Sequence, residues 1–364
     1  MQHRFTITTG IHQLLALSFL LKSQVKTLAA CVCGLIAGGE LSIGGIGTYI
    51  PGKIDAKHKI KRVDRWCGNS LVEIDPITTT MLLALGKRGG ALLVSVDWTK
   101  INNFQVLVFA VTTGHGRAVP VYWEVVDGDE DRTKVVEVAA IDRFDALVPA
   151  NLKITILADR GFDEVKFIAA VAKRFEYVIR LSRSNTISSS DSDKVFTTLE
   201  ARLEVKNEAV DFGEVLFTKT HRFKTRIVGI HDWKQKEPWF LATNGTGKAR
   251  QLVMFYSRRF DIEHAFKDWK DSHHGWKLGK VFTKSCHRLS RLLIIPAIAY
   301  LMLVLVGLVG ESRKLHYGLQ CNTTRNRRVN SVWRVGLKLL TIGKPLYLTV
   351  GLLLSFVDSI AFSV

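Results

Sequence analysis

Apolar positions along this 364-residue chain fall into distinct regimes. Up to about residue 88 they recur with mixed helical spacing, which predicts a mainly helical N-terminal region (1–88). From Gly89 continuous apolar runs take over: ALLVSVDW (91–98), FQVLVFAV (104–111) and RAVPVYWEVV (117–126), the last two joined by the turn-rich TTGHG. Three such runs with short connections predict an antiparallel meander. A helix capped by Asp131 and reaching about Val148 follows, then a buried strand KITILA (153–158) ending at Asp159, a helix over 163–173 and a strand YVIRL (177–181). A meander followed by alternating helix and strand gives an α/β fold, a mixed sheet flanked by helices.

The alternation stops after Ser182. A polar loop, SRSNTISSSDSD (182–193), precedes LEARLEV, VLFTKT, KTRIVGIH and WFLATN, which read as short strands up to Asn244. They predict a β-rich insertion over 183–246, interrupting an α/β domain made of 89–182 and 247–310. A charged helix begins near Gly247 and leads into an apolar one. The tail, 311–364, holds a basic helical stretch, RNRRVNSVWRVGLKLL (325–340), and an apolar end beyond Pro345 without a motif.

Two apolar stretches bear on the membrane. Residues 12–21 are too short to span a bilayer and lack a clear small-residue cleavage site. Residues 292–310 are nineteen positions without a charge, near the length of a span. Pro296 and the preceding Arg288 and Arg291 fit a membrane helix or a buried core helix. The core reading is adopted, because a large domain can bury such a helix whole, and no stable membrane insertion is expected.

Charge changes the picture more. Fifty-one Lys and Arg against 33 Asp and Glu leave +18, and residues 248–291 alone carry 11 cations against 4 acids. A polyanion is the obvious partner. The stretch KIDAKHKIKRVDRW holds six cations between Lys53 and Arg65, including Lys59, Lys61 and Arg62, and reads either as phosphate contacts or as a basic surface helix. Five cysteines without zinc spacing suggest reduced thiols and a cytoplasmic protein.

Several motifs fail on spacing. Residues 38–52 hold six glycines, but Gly45-Ile46-Gly47 lacks the third glycine of a dinucleotide loop, so an irregular connection is expected. DGDED (127–131) begins like a calcium loop, yet Arg132 and Val138 stand where that loop needs glycine and glutamate. NGTGK (244–248) is too short for a phosphate-binding P-loop.

The densest chemistry lies in residues 256–270, YSRRFDIEHAFKDWK. At about 100° per residue, Tyr256, Arg259, Glu263 and Lys270 share a helical stripe about 60° wide, and Lys267 widens it by one cation. Such a stripe is either a solvated face with i,i+4 pairs or a site where a carboxylate holds metal while cations and a hydroxyl hold phosphate. Asp97 and Asp159, each ending an apolar strand, are the acids a mixed sheet could bring to Glu263. Three carboxylates without cysteine or histidine partners are hard donors that select magnesium or manganese. Two such ions suit an in-line phosphoryl displacement.

With these residues in place, the chain resembles a bacterial insertion-sequence transposase of the DDE class, in the group marked by a Tyr-Arg-Glu-Lys signature. The pattern Y-x2-R-x3-E-x6-K is matched by Tyr256, Arg259, Glu263 and Lys270, with SVDWT supplying the first acid and LADRGF the second, over about residues 85–310. The resemblance implies a ribonuclease-H-like catalytic fold with the β insertion between the second Asp and the Glu. It implies that Asp97, Asp159 and Glu263 are catalytic and hold two Mg2+ or Mn2+ ions, while Tyr256, Arg259 and Lys270 bind phosphates at the element's end. Trp239, in EPWFLATN, resembles a tryptophan that stacks on a flipped base in relatives that use a hairpin. The implied activity is metal-dependent cleavage and strand transfer, cut-and-paste transposition of double-stranded transposon ends into target DNA. A homodimer assembled on DNA and a cytoplasmic, nucleoid-associated protein are the accompanying expectations. Two other readings use the same residues differently: a nuclease of the same fold that hydrolyses without joining, and a basic membrane-associated protein spanning at 292–310.

Overall fold

The computed structural model describes residues 20–86, 91–128, 133–189, 195–205, 207–232, 235–321, 323–324 and 326–342. The cap expected at Asp131, the apolar residues 12–19 and the tail beyond Pro345 lie outside these. Four helices open the fold: α1 (Lys22–Gly38), α2 (Ile43–Thr48), α3 (Ala56–Gly68) and α4 (Asp75–Leu85). The meander forms as the apolar runs predict, from β1 (Ala91–Ile101), β2 (Phe104–Thr112) and β3 (Ala118–Asp127), each antiparallel to the next. Then come α5 (Thr133–Leu147), β4 (Lys153–Ala158), α6 (Val165–Ala172) and β5 (Glu176–Leu181). Both β4 and β5 are parallel to β1, so the sheet is mixed, as expected.

Beyond β5 the chain adds β6 (Thr186–Ser188), β7 (Thr197–Thr198), the short helix α7 (Leu199–Arg202), β8 (Val210–Phe217), β9 (Phe223–Ile230) and β10 (Trp239–Thr243). These strands extend the same sheet, giving one ten-stranded order β3-β2-β1-β4-β5-β10-β9-β8-β6-β7. Two expectations fail locally. LEARLEV begins as a helix, because the Thr198 hydroxyl accepts from the Ala201 N–H and caps it. The polar loop after Ser182 contains the strand β6, which pairs with β8.

The chain closes with α8 (Ala249–Ser257), α9 (Phe260–Lys270), α10 (Cys286–Ser312) and α11 (Val332–Thr341). Among the described residues α10 is the one helix long and apolar enough to cross a membrane, but its most apolar window is wholly buried inside the protein. Its walls are β3, α1, α3 and α11. Arg288 and Arg291, the flanking cations, serve this packing: Arg288 donates to Asp64 Oδ1 at 2.6 Å, and Arg291 to the carbonyls of Val72 and Cys67 at 3.0 and 3.3 Å. They tie α10 to α3 and satisfy a carbonyl left open at the end of α3.

Close helix contact also explains two glycine positions. Residues 38–52 are not an irregular connection, since α2 lies within them, and a Cβ at Gly47 would stand 2.5 Å from the Ile60 Cα of α3. Where α10 meets α11, a Cβ at Gly336 would stand 2.0 Å from the Leu303 carbonyl oxygen. Only glycine allows that approach.

Candidate active site

Strands β1 and β4 lie side by side and parallel, with Val96 opposite Ala158 as the last pair of their ladder. One residue beyond stand Asp97 and Asp159. Because side chains alternate along a strand, Asp97 faces the same way as Leu93 and Asp159 the same way as Leu157. That is the face on which Leu252, Phe255 and Tyr256 of α8 pack. The sheet thus directs both acids toward the helices that follow the β-rich segment. Asp97 Oδ1 accepts from the Trp98 N–H at 2.8 Å, and Asp159 Oδ1 accepts from the Gly161 N–H at 2.8 Å, capping a 3-10 turn over Arg160–Phe162. Burial pushes the Asp97 carboxyl up to about 7; the charges of Asp159 and Glu263 add to this and Arg259 opposes it. Negative charge converges here.

The stretch 256–270 is not one straight helix. Arg258 and Arg259 separate α8 from α9, and their N–H groups bond three residues back, to Phe255 and Tyr256, in a tightened turn. The expected common stripe is therefore split by burial. Tyr256 (0% exposed) and Arg259 (4%) are inside, whereas the Glu263 side chain is 50% exposed. Arg259 joins the two levels: Nη1 lies 3.5 Å from Asp97 Oδ2, and Nη2 donates to Glu263 Oε1 at 2.5 Å. The Tyr256 hydroxyl and Arg259 Nε are buried without a hydrogen-bond partner among the described residues. Leaving such donors unpaired is costly, and an anion entering the site would satisfy them. On α9, Lys270 has its pKa lowered by burial, with Asp97 acting in the opposite direction, so its ammonium lies within electrostatic range of that acid.

Trp239, at the start of β10, packs its ring 4.9 Å from Tyr256 and 5.9 Å from Phe260. Two residues before it, Glu237 collects Arg180 at 2.7 Å, Arg160 at 3.0 Å and Arg183 at 3.9 Å, three guanidinium groups on one carboxylate. Lys267 lines a different place, a groove shared by α9 and α11. Lys59, Lys61 and Arg62 lie on α3; Lys61 pairs with Asp64 at 2.7 Å, and Arg62 donates to Thr27 on α1. The contacts of Lys61 and Arg62 are thus with the N-terminal helices, not with the acid cluster.

Sequence reading passed over Glu137. This α5 residue is 8% exposed and accepts from the Trp98 indole N–H at 2.8 Å on the opposite side of the sheet from Asp97. Burial raises its pKa, and the charge of Asp159 adds to the effect. It secures the residue next to Asp97 from behind.

Among the described residues no group of three or more His, Cys, Asp or Glu side chains is gathered closely enough to hold a metal ion. The third acid is held by Arg259 instead. The donors present still fit a hard divalent ion, being all carboxylate and carrying mutual repulsion that a cation would relieve.

Comparison with known families finds that the one described as "Transposase DDE domain" matches residues 96–302, 207 of the 364 positions. No curated protein matches the chain.

Proposed function

We propose that this chain, which belongs to the transposase DDE domain family, cleaves DNA at the ends of an insertion sequence and joins the freed ends to target DNA by cut-and-paste transposition. One observation carries the reading: Asp97 and Asp159 stand one residue past the last pair of the parallel ladder between β1 and β4, although β1 itself runs on to Ile101, and Arg259 links the first of them to Glu263. The order β3-β2-β1-β4-β5, a meander followed by two parallel strands, supports a ribonuclease-H-like catalytic fold. The placement of Tyr256, Arg259 and Lys270 around the acids supports membership of the Tyr-Arg-Glu-Lys group.

Asp97, Asp159 and Glu263 would hold Mg2+ or Mn2+, which supply an activated hydroxyl and stabilise the leaving oxygen in phosphoryl transfer. The chain's own residues position the DNA. Arg259 now neutralises part of the acid cluster, and its planar fork matches a phosphate as well as a carboxylate. A phosphodiester arriving at Arg259 takes over the guanidinium from Glu263, whose half-exposed carboxylate is then free to turn toward Asp97 and Asp159. The Tyr256 hydroxyl donates to a phosphate oxygen, and Lys270 adds a point charge. Trp239 offers an aromatic platform for an extruded base beside them. Joining two ends calls for two copies of the chain on DNA. The five cysteines, none of them in a disulfide, agree with a reducing, cytoplasmic setting.

The deciding experiment incubates the protein with paired element ends, a target plasmid and Mg2+, and follows both cleaved and joined products. Joined products that require Asp97 support the proposal. Cleavage without joining points to the nuclease, and no cleavage with a range of candidate ends counts against the whole reading.

A further inference from the structure

The groove that receives Lys267 has a volume of about 460 Å³ and runs between α9 and α11. Its charge is not balanced. Of its two acids, Asp268 is taken up by Arg117 Nε at 2.5 Å and by the Tyr300 hydroxyl at 2.7 Å. Asp271 accepts from the backbone N–H groups of His273 and His274 at 2.7 and 2.6 Å, which orient its carboxylate but leave its charge in place. Against that one remaining acid stand three cations, Lys267, Arg334 and Lys338, a surplus of positive charge. Arg334 donates to the His274 carbonyl at 2.5 Å, and Lys338 donates to the Leu319 carbonyl and to Asn330 Oδ1 at 3.2 and 3.3 Å. The exposed Lys267 makes no hydrogen bond or ion pair among the described residues. A neutral carbonyl orients a cation without cancelling its charge. His264 is not a fourth, because burial and then Arg117 hold its pKa below the ordinary histidine range.

The groove is also aligned with the acid cluster. On α9, at about 100° per residue, Lys270 lies about 20° from Glu263 on one side, while Lys267, Asp271, His264 and Asp268 follow at about 40° to 140° on the other. One helix therefore has the acid cluster on one face and the groove on the next, with Lys267 at the boundary. A strand whose phosphate sits at Glu263 meets the groove by continuing around α9.

We infer that the groove between α9 and α11 is a track for the sugar-phosphate backbone of DNA leaving the acid cluster, with Lys267, Arg334 and Lys338 as its cations. This rests on the transposase reading for the identity of the polyanion, but not on the metal chemistry. Contacts of this kind position DNA without reading its sequence and release counterions.

The test measures binding of the full chain to duplex DNA of arbitrary sequence over a range of salt concentrations. The triple variant Lys267→Gln, Arg334→Gln, Lys338→Gln should bind at least about tenfold more weakly, with a log Kd against log salt slope shallower by up to about 2.7, or about 0.9 per lost contact. Arg334 and Lys338 also hold carbonyls, so Lys267→Gln alone, at an exposed position, serves as the second variant and should lose about 0.9 of slope. Wild-type slope and affinity in both variants overturn the inference. Asp97→Asn, assayed in parallel, separates the two readings. If it cleaves like wild type, the acid-cluster assignment fails while the slopes still judge the groove, and a wild-type chain that does not bind DNA overturns both.

Discussion

Arg259 donates to Glu263 across one turn of α9 at 2.5 Å, and the pair divides sharply in exposure, with 5% of the arginine side chain and 50% of the glutamate side chain open to solvent. The buried partner is fixed and the exposed partner is free to move. If the guanidinium fork passes from carboxylate to phosphate, a lysine cannot replace it, since an ammonium lacks the planar pair of donors. Arg259→Lys is therefore expected to lower cleavage by about 10²-fold, the scale of losing one preorganised donor to developing charge. Single-turnover cleavage of end-containing duplex checks this, and near wild-type rates would remove Arg259 from the phosphate site.

Glu263→Gln keeps the shape of the side chain and a neutral acceptor for Arg259 but removes a hard anionic donor. Cleavage should fall below detection while DNA binding stays within a few-fold of wild type, measured on the same duplex. In wild type, a chelator should stop cleavage and added Mg2+ or Mn2+ should restore it. Undiminished cleavage in chelator would contradict the carboxylate assignment directly.

Glu137→Leu leaves the Trp98 indole N–H without its partner inside the protein. The expected cost is about 1–3 kcal/mol, and Glu137→Gln, which keeps an acceptor, should recover most of it. Denaturant midpoints of the three proteins make the comparison. Equal stabilities would mean that Glu137 does not secure β1 beside Asp97.

Gly336→Ala forces a methyl group to within 2.0 Å of the Leu303 carbonyl oxygen, so α11 must move off α10. A loss of about 1–3 kcal/mol is expected, seen as a lower thermal midpoint. Because α11 also carries Arg334 and Lys338, the same variant should weaken DNA binding if those cations contact phosphate.

Much of the central sheet was legible because β1 to β5 are continuous apolar runs, and those of β1 and β4 end in acids. Periodicity could not say which strands become neighbours, so the adjacency of Asp97 and Asp159 emerges only from the fold. The break at Arg258 and Arg259 left no mark, since neither glycine nor proline occurs there and the acid that Arg259 approaches, Asp97, lies far away in the sequence. Thr198 does leave a mark, a helix cap before Leu199, but the apolar spacing of LEARLEV competes with it and reads as a strand. Glu137 was invisible for a different reason: its partner Trp98 lies 39 positions away and contributes an indole, not a charge.

The ladder that ends at Val96 and Ala158 restricts how the length of this chain can vary. Side chains on a strand reverse direction with every residue, so one residue gained or lost between Ala91 and Asp97 would turn that carboxylate to the α5 side of the sheet and bring Trp98 or Val96 to the α8 side. No rotamer change could recover the original direction. Related chains that keep the chemistry are therefore expected to differ in length at the turns between strands, and to hold constant the spacing within β1 and β4 up to their acids.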